Sequence, residues 1–241
     1  MEIKRLDWES DFFGFEIGEL YNNSNNNSNN NSNSNSNTFH KKENFKLIIS
    51  KINEPIHIEG FKNTFSEVKV VFEKKILELN EIETKQLQLL DSDFSDYNLN
   101  DIFELGYESG KFSRFKLDSN FGENYFKKIY MEWIKNSINK TIANKLFFIK
   151  NDQNVLGFIT LQNFKGNSNV GLFSVNPSFQ GKGYGKILLQ LTENYCFNNS
   201  IKLITIPTQL SNSNACIFYS KNGYKIINKI NVKHYWKHDT I

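Results

Sequence analysis

Between residues 180 and 185 the chain reads Gln-Gly-Lys-Gly-Tyr-Gly, a run suited to holding phosphate. Glycine lacks the Cβ that keeps a ligand away from backbone N–H groups. A helix N-terminus adds unpaired donors and the positive end of its dipole. The flanking residues predict that setting: Gly171-Leu172-Phe173-Ser174-Val175-Asn176-Pro177 reads as a strand, and Lys186-Ile187-Leu188-Leu189-Gln190-Leu191 as a helix. Two familiar phosphate motifs are excluded. The spacing G-x-G-x-G is one residue short of the dinucleotide fingerprint, and no Lys-Ser or Lys-Thr pair closes it as in a P-loop. The run also lies in the last third of the chain, not at the first strand. A tight turn with no ligand is the alternative reading.

Pattern and position resemble the GNAT acetyltransferase superfamily, whose acyl-CoA loop reads Gln/Arg-x-x-Gly-x-Gly/Ala. Gln180, Gly183 and Gly185 fill the named positions, and Gly181 is the glycine commonly seen after the first. The resemblance implies that the N–H groups from Gln180 through Gly181, Lys182, Gly183, Tyr184, Gly185 and Lys186 bind the coenzyme A pyrophosphate. It also implies that a splayed strand at Phe173, Ser174 and Val175 meets the pantetheine arm and thioester. Downstream, Asn212-Ser213-Asn214-Ala215-Cys216-Ile217-Phe218-Tyr219 resembles the superfamily's segment with an early Asn, then Ala, then Tyr, closing with Gly223-Tyr224. Asn212 and Tyr219 stand two helical turns apart and so share a face. By the resemblance Asn212 contacts coenzyme A and Tyr219 is the general acid for the departing thiolate. A phenol with a pKa near 10 suits that role. The alternatives are a packed tyrosine and an Asn that only caps its helix.

A narrower resemblance is carried by Leu6-Asp7-Trp8-Glu9-Ser10-Asp11-Phe12-Phe13-Gly14, Ser113-Arg114-Phe115 and Thr208-Gln209-Leu210-Ser211-Asn212. These segments are similar to the dTDP-fucosamine acetyltransferase branch, which N-acetylates dTDP-4-amino-4,6-dideoxygalactose for surface-polysaccharide synthesis. It implies an amino-sugar nucleotide as acceptor. Arg114 would contact the nucleotide diphosphate or pair with a carboxylate. Tyr235-Trp236 would line the sugar pocket or pack in the core. No general base is evident; Glu108 and His234 lie in no local motif.

The elements that must position these groups follow from periodicity. Phe15 to Leu20, Phe45 to Ser50 and Val68 to Ile76 read as strands of a small N-terminal α/β module over residues 1–80. Ile102, Leu105, Gly106 and Ser109 fall at helical spacing. So do Phe126, Ile129, Tyr130, Trp133, Ile134 and Ile138, in a helix from about Asn124 to Asn139. A hairpin follows (Lys145 to Lys150, Val155 to Leu161), then the glycine-run strand and its helix, a strand at Ile201 to Ile206, and a helix over about 212–222. Two last strands are expected near Lys225 to Asn228 and Val232 to Lys237. The order β-β-β-α-β-α-β, preceded by helices, resembles the GNAT core. The expected fold is α/β (α+β), with a mixed, mostly antiparallel sheet flanked by helices and an acetyltransferase domain over residues 84–241.

Bulk properties narrow the partners. The 241 residues are 39% hydrophobic with 22 Phe, enough for a sizeable core, and the net charge of +3 is too slight to imply nucleic acid. Residues 22–37 contain only Asn and Ser, a tract expected to be a mobile surface loop. The N-terminus has no apolar h-region, no window reaches 18 apolar residues, and Cys196 and Cys216 are the only cysteines. A cytoplasmic enzyme with acetyl-CoA and a small amine as partners, no metal, and a homodimer as one permitted assembly is the expectation.

Overall fold

The computed structural model describes residues 2–21, 42–82, 88–91, 98–151 and 154–238. The Asn/Ser tract lies outside the described residues. In chain order the elements begin with β1 (Glu2–Arg5), α1 (Asp7–Phe13), β2 (Ile17–Tyr21), β3 (Leu47–Ser50), β4 (Phe61–Lys75) and β5 (Gln88–Asp91). Next come α2 (Leu99–Gly110), α3 (Arg114–Leu117), α4 (Gly122–Ile138), β6 (Lys145–Lys150), β7 (Val155–Phe164) and β8 (Asn167–Val175). The chain ends with α5 (Tyr184–Asn198), β9 (Leu203–Gln209), α6 (Ser213–Lys221) and β10 (Lys225–Lys237). Two compact units result, residues 1–69 with 229–241 and residues 70–228.

In the first unit β2 and β3 pair in parallel, β1 lies antiparallel to β2, and β10 antiparallel to β3. Ile3, Leu20, Phe45, Ile48, Ile58, Phe61 and Tyr235 form its core. The segment 6–14 earns its residue types structurally. The Leu6 N–H donates to Ile17 O, and buried Ser10 accepts from the Ile17 N–H at 2.9 Å. Gly14 ends α1 in the left-handed region at φ 74°. The Arg5 guanidinium ties Glu16, Asp7 and Asp11 together. Tyr235 and Trp236 are buried, Trp236 packing 5.5 Å from Phe15, and His234 has no exposed surface. The two strands expected at the C-terminus are one continuous strand, β10. No Gly or Pro interrupts it, and exposed Asn228 and Lys229 with half-buried Asn231 mark strand, not a break.

The second unit carries the strand order β9-β8-β7-β6-β5, antiparallel except for β8–β9. The first seven residues of β7 are all buried, as a strand covered on both faces requires. Alternation along β8 assigns those faces. The Ser174 hydroxyl donates to Leu105 O of α2 at 2.6 Å, whereas Phe173 packs 5.9 Å from Phe218 of α6. Gly157, opposite Val175, leaves room for Leu188 of α5. Among the described residues no helix is long and apolar enough to cross a membrane.

Helix α2 is seated on α4 through glycines one turn apart. A Cβ on Gly106 would lie 2.1 Å from Ile134, and one on Gly110 would lie 2.2 Å from the Tyr130 ring. Helix propensity alone favours Gly110→Ala by about 1 kcal/mol. Overpacking against a buried ring is expected to win, with a net destabilisation of about 1–3 kcal/mol in urea unfolding. A stabilised Gly110→Ala variant would mean the ring yields freely.

Candidate functional site

Strands β8 and β9 run side by side for three residues and then part. Asn167, Ser168 and Asn169 pair with Leu203, Ile204 and Thr205, but β8 continues to Val175 and β9 to Gln209 without further pairing between them. Among the described residues the parted stretch leaves one backbone edge of Val170–Val175 without a strand partner. On its other edge β8 bulges: Ile159 faces Phe173 and Leu161 faces Val170, so Gly171 and Leu172 together oppose Thr160. The Leu172 N–H, which the bulge removes from the ladder, donates to Thr160 Oγ1 at 2.8 Å. Gly171 is required there, because a Cβ would sit 2.9 Å from that oxygen.

The glycine run stands where β8 ends. Asn176 caps a short 3-10 turn at Pro177–Phe179 by accepting from the Ser178 N–H at 3.0 Å. Gly181 and Gly183 then take φ of 78° and 89°, with open space where a Cβ would be. Gly183 is the residue from which α5 starts, and no side chain caps it. Among the described residues the N–H groups from Gly181 to Lys186 have no acceptor; the first bond back is from the Ile187 N–H to Gly183 O. These donors converge on solvent at the positive end of a helix, a ready anion site. A groove of about 560 Å³ adjoins the loop, with Tyr107, Glu108, Lys111, Phe126, Asn176 and Pro177 in its wall.

Tyr219 lies on α6, its ring 5.4 Å from Phe72 and 6.2 Å from Phe173 on the parted strand. The residue keeps 6% of its surface, and its hydroxyl has no hydrogen-bond partner among the described residues. Burial, with the Cys216 thiol adding to it, pushes the phenol well above its usual value, so the hydroxyl stays protonated at neutral pH.

The splayed strand, glycine turn and helix follow one another in the order the sequence resemblance implied, and a family comparison covers the same stretch. The profile of the Acetyltransferase (GNAT) family matches residues 113–224. Over that segment the chain is similar to the GNAT acetyltransferases. No curated protein matches the chain. Among solved structures, a functionally unknown conserved protein from Staphylococcus epidermidis is similar over 81% of this chain and 74% of its own, at TM-score 0.55 and 14% identity. A GCN5-related N-acetyltransferase from Sphaerobacter thermophilus shares TM-score 0.57 and 11% identity over 81% of this chain and 61% of its own. A tandem GNAT protein from the clavulanic acid biosynthesis pathway gives 0.53 and 9%, over 83% and 67%. Identities this low speak for the fold alone.

Within this matched segment the remaining sequence-predicted residues fall at distinct places. Phe173 and Val175 side chains share a face, while Ser174 turns away to α2, leaving its backbone on the parted strand. The Asn212 side-chain Oδ1 accepts from the Ala215 N–H at 3.3 Å and so caps α6. Lys182 Nζ lies 4.9 Å over the Phe179 ring, and Lys186 is exposed. Arg114 sits on α3, its guanidinium 4.6 Å over the Phe115 ring. Two contacts escaped the sequence reading, which named Glu108 only in connection with a general base. Thr160 stabilises the bulge; its one sequence signal is a glycine inside a strand pattern at 171. Glu108 reaches the glycine run from α2 and carries no local signal. Among the described residues no group of three or more His, Cys, Asp or Glu is placed to hold a metal.

Proposed function

We propose that the protein is an acetyl-CoA-dependent N-acetyltransferase whose acceptor is the amine of a nucleotide-linked amino-deoxy sugar. The parting of β8 from β9 above the glycine turn carries the first half of this reading. A pantetheine arm has amides that can pair with the free edge of Val170–Val175. The pyrophosphate has the unpaired N–H groups of Gly181 to Lys186 to accept from. The acceptor class rests on the likeness of the segments 6–14, 113–115 and 208–212 to an amino-sugar acetyltransferase branch.

In this reading the neutral amine attacks the thioester carbonyl, and free N–H groups of β8 meet the charge that develops on its oxygen. The C–S bond then breaks and sulfur takes the Tyr219 proton. The ammonium proton passes to water, and solvent restores the phenol. Asn212 and Gln180 belong to the donor side of the site, and Arg114 to the nucleotide side.

Titration with coenzyme A, followed by an acetyl-CoA consumption screen across nucleotide-linked amino sugars, polyamines and peptide amines, tests both halves. Turnover confined to polyamines or peptides would overturn the acceptor class. Binding with no turnover on any amine would favour a non-catalytic acyl-CoA module. Gly183→Val puts a β-branched residue at a positive φ in the cradle. It is expected to raise the coenzyme A Kd at least about tenfold, read by calorimetry.

A further inference from the structure

Gln180 opens the glycine run, and its side-chain amide does not face solvent alone. Nε2 donates to Val175 O at 3.0 Å and to Glu108 Oε1 at 3.3 Å. One amide therefore joins the end of β8, the start of the turn and the helix on the opposite face of the sheet. The Glu108 end of this link is rigid. Its helix is pinned by Gly106 and Gly110 against α4 and by Leu105 O, which accepts the Ser174 hydroxyl. A carboxylate beside a pyrophosphate cradle would ordinarily repel the ligand. Here Lys111, one turn along α2, pairs with the Glu108 carboxylate and cancels its charge. The Glu108 side chain is only 19% exposed, so the pair is less screened than a fully solvated one.

We infer that Glu108 is a positioning residue for donor binding, resting on the reading of the glycine run as the coenzyme A site. It fixes the Gln180 amide so that the turn presents its N–H groups together, and Lys111 makes that carboxylate tolerable next to phosphate. Glu108 is thereby a brace for the cofactor loop, and not a base for the amine.

Coenzyme A titrations by calorimetry at low and high salt test this on the full chain. Glu108→Ala is expected to raise Kd about three- to tenfold, and Glu108→Gln, which keeps an acceptor oxygen, to stay within about twofold of the parent. Lys111→Met leaves the carboxylate uncompensated; its Kd is expected to rise most at low salt and recover at high salt. Adding Glu108→Gln to Lys111→Met should then restore binding. A parent-like Kd for Glu108→Ala, or a Gln variant as weak as the Ala variant, would overturn the inference while the proposed function stands. If Glu108→Ala does not fold, the Lys111→Met single and double variants decide: equal affinity in both overturns the brace. No binding by the parent protein would overturn the reading beneath it.

Discussion

Tyr219→Phe is expected to lower kcat by about 100-fold or more, with KM for acetyl-CoA within about twofold of the parent. The asymmetry follows from what the substitution removes. The ring keeps its place between Phe72, Phe173, Phe218 and Tyr224, all within 5.4 to 6.2 Å. The lost hydroxyl has no partner among the described residues, so no orphaned group remains there and stability should hold. Only a step that takes a proton from that oxygen suffers. The pH dependence has a defined sign. Burial raises the phenol, so the donor form is lost only above its usual value near 10. The parent should therefore show no falling limb from Tyr219 between pH 6 and about 9, in kcat measured with an accepted amine. Tyr224→Phe serves as the contrast. Its hydroxyl is committed to Glu193, and its loss should lower stability with little effect on turnover. Turnover of Tyr219→Phe close to the parent would remove it from the acid role.

Glu193→Ala is expected to have the largest effect on stability, about 3 kcal/mol in urea unfolding. The carboxylate is 3% exposed on α5 and is fully used. Lys74 Nζ approaches both its oxygens at 2.8 Å, the Tyr224 hydroxyl donates at 3.0 Å and Asn80 Nδ2 at 2.9 Å. Removing it strands the Tyr224 hydroxyl and the Lys74 ammonium, a cation whose side chain is 27% exposed, while Asn80 Nδ2 keeps Asn194 Oδ1 at 3.3 Å. That partial exposure holds the expected loss to the lower end for a broken buried pair. The Tyr224 phenol reports on the same cluster: burial first, then the Glu193 charge, hold it far above its usual value. A Lys74→Met/Glu193→Leu double variant should recover most of the loss, since an apolar pair strands no charge. A Glu193→Ala loss below about 1 kcal/mol would show that water replaces the carboxylate.

What the sequence revealed and what it hid divide along the range of the interactions. The glycine run, α4 and the β6–β7 hairpin depend on neighbours a few residues away, and their periodicity located them. The strand before the run was expected at 171–177 but runs from Asn167 to Val175. Its buried positions include Ser168 and Ser174, small polar residues that break the apolar alternation on which strand reading depends. The splaying of β8 was implied by the resemblance alone; periodicity could not show where it parts from β9, because that depends on pairing register between segments joined through a helix. The Gln180–Glu108 contact joins residues 72 apart, and the Phe72–Tyr219 packing brings together two distant strands of sequence. The segment 6–14 was legible as a motif, yet its Leu6 and Ser10 serve to fasten α1 to β2 and its Gly14 to end the helix.

An interior edge left unpaired along Val170–Val175 makes the fold itself incomplete. Those amides should exchange with solvent deuterium faster than their counterparts on the β7 side, even though both belong to one strand. A ligand lying along that edge would act as a removable strand, slowing exchange there first. By mass action it would add about 2.7 kcal/mol to unfolding stability at one hundred times its Kd. Heat resistance of this protein would then track the abundance of that ligand.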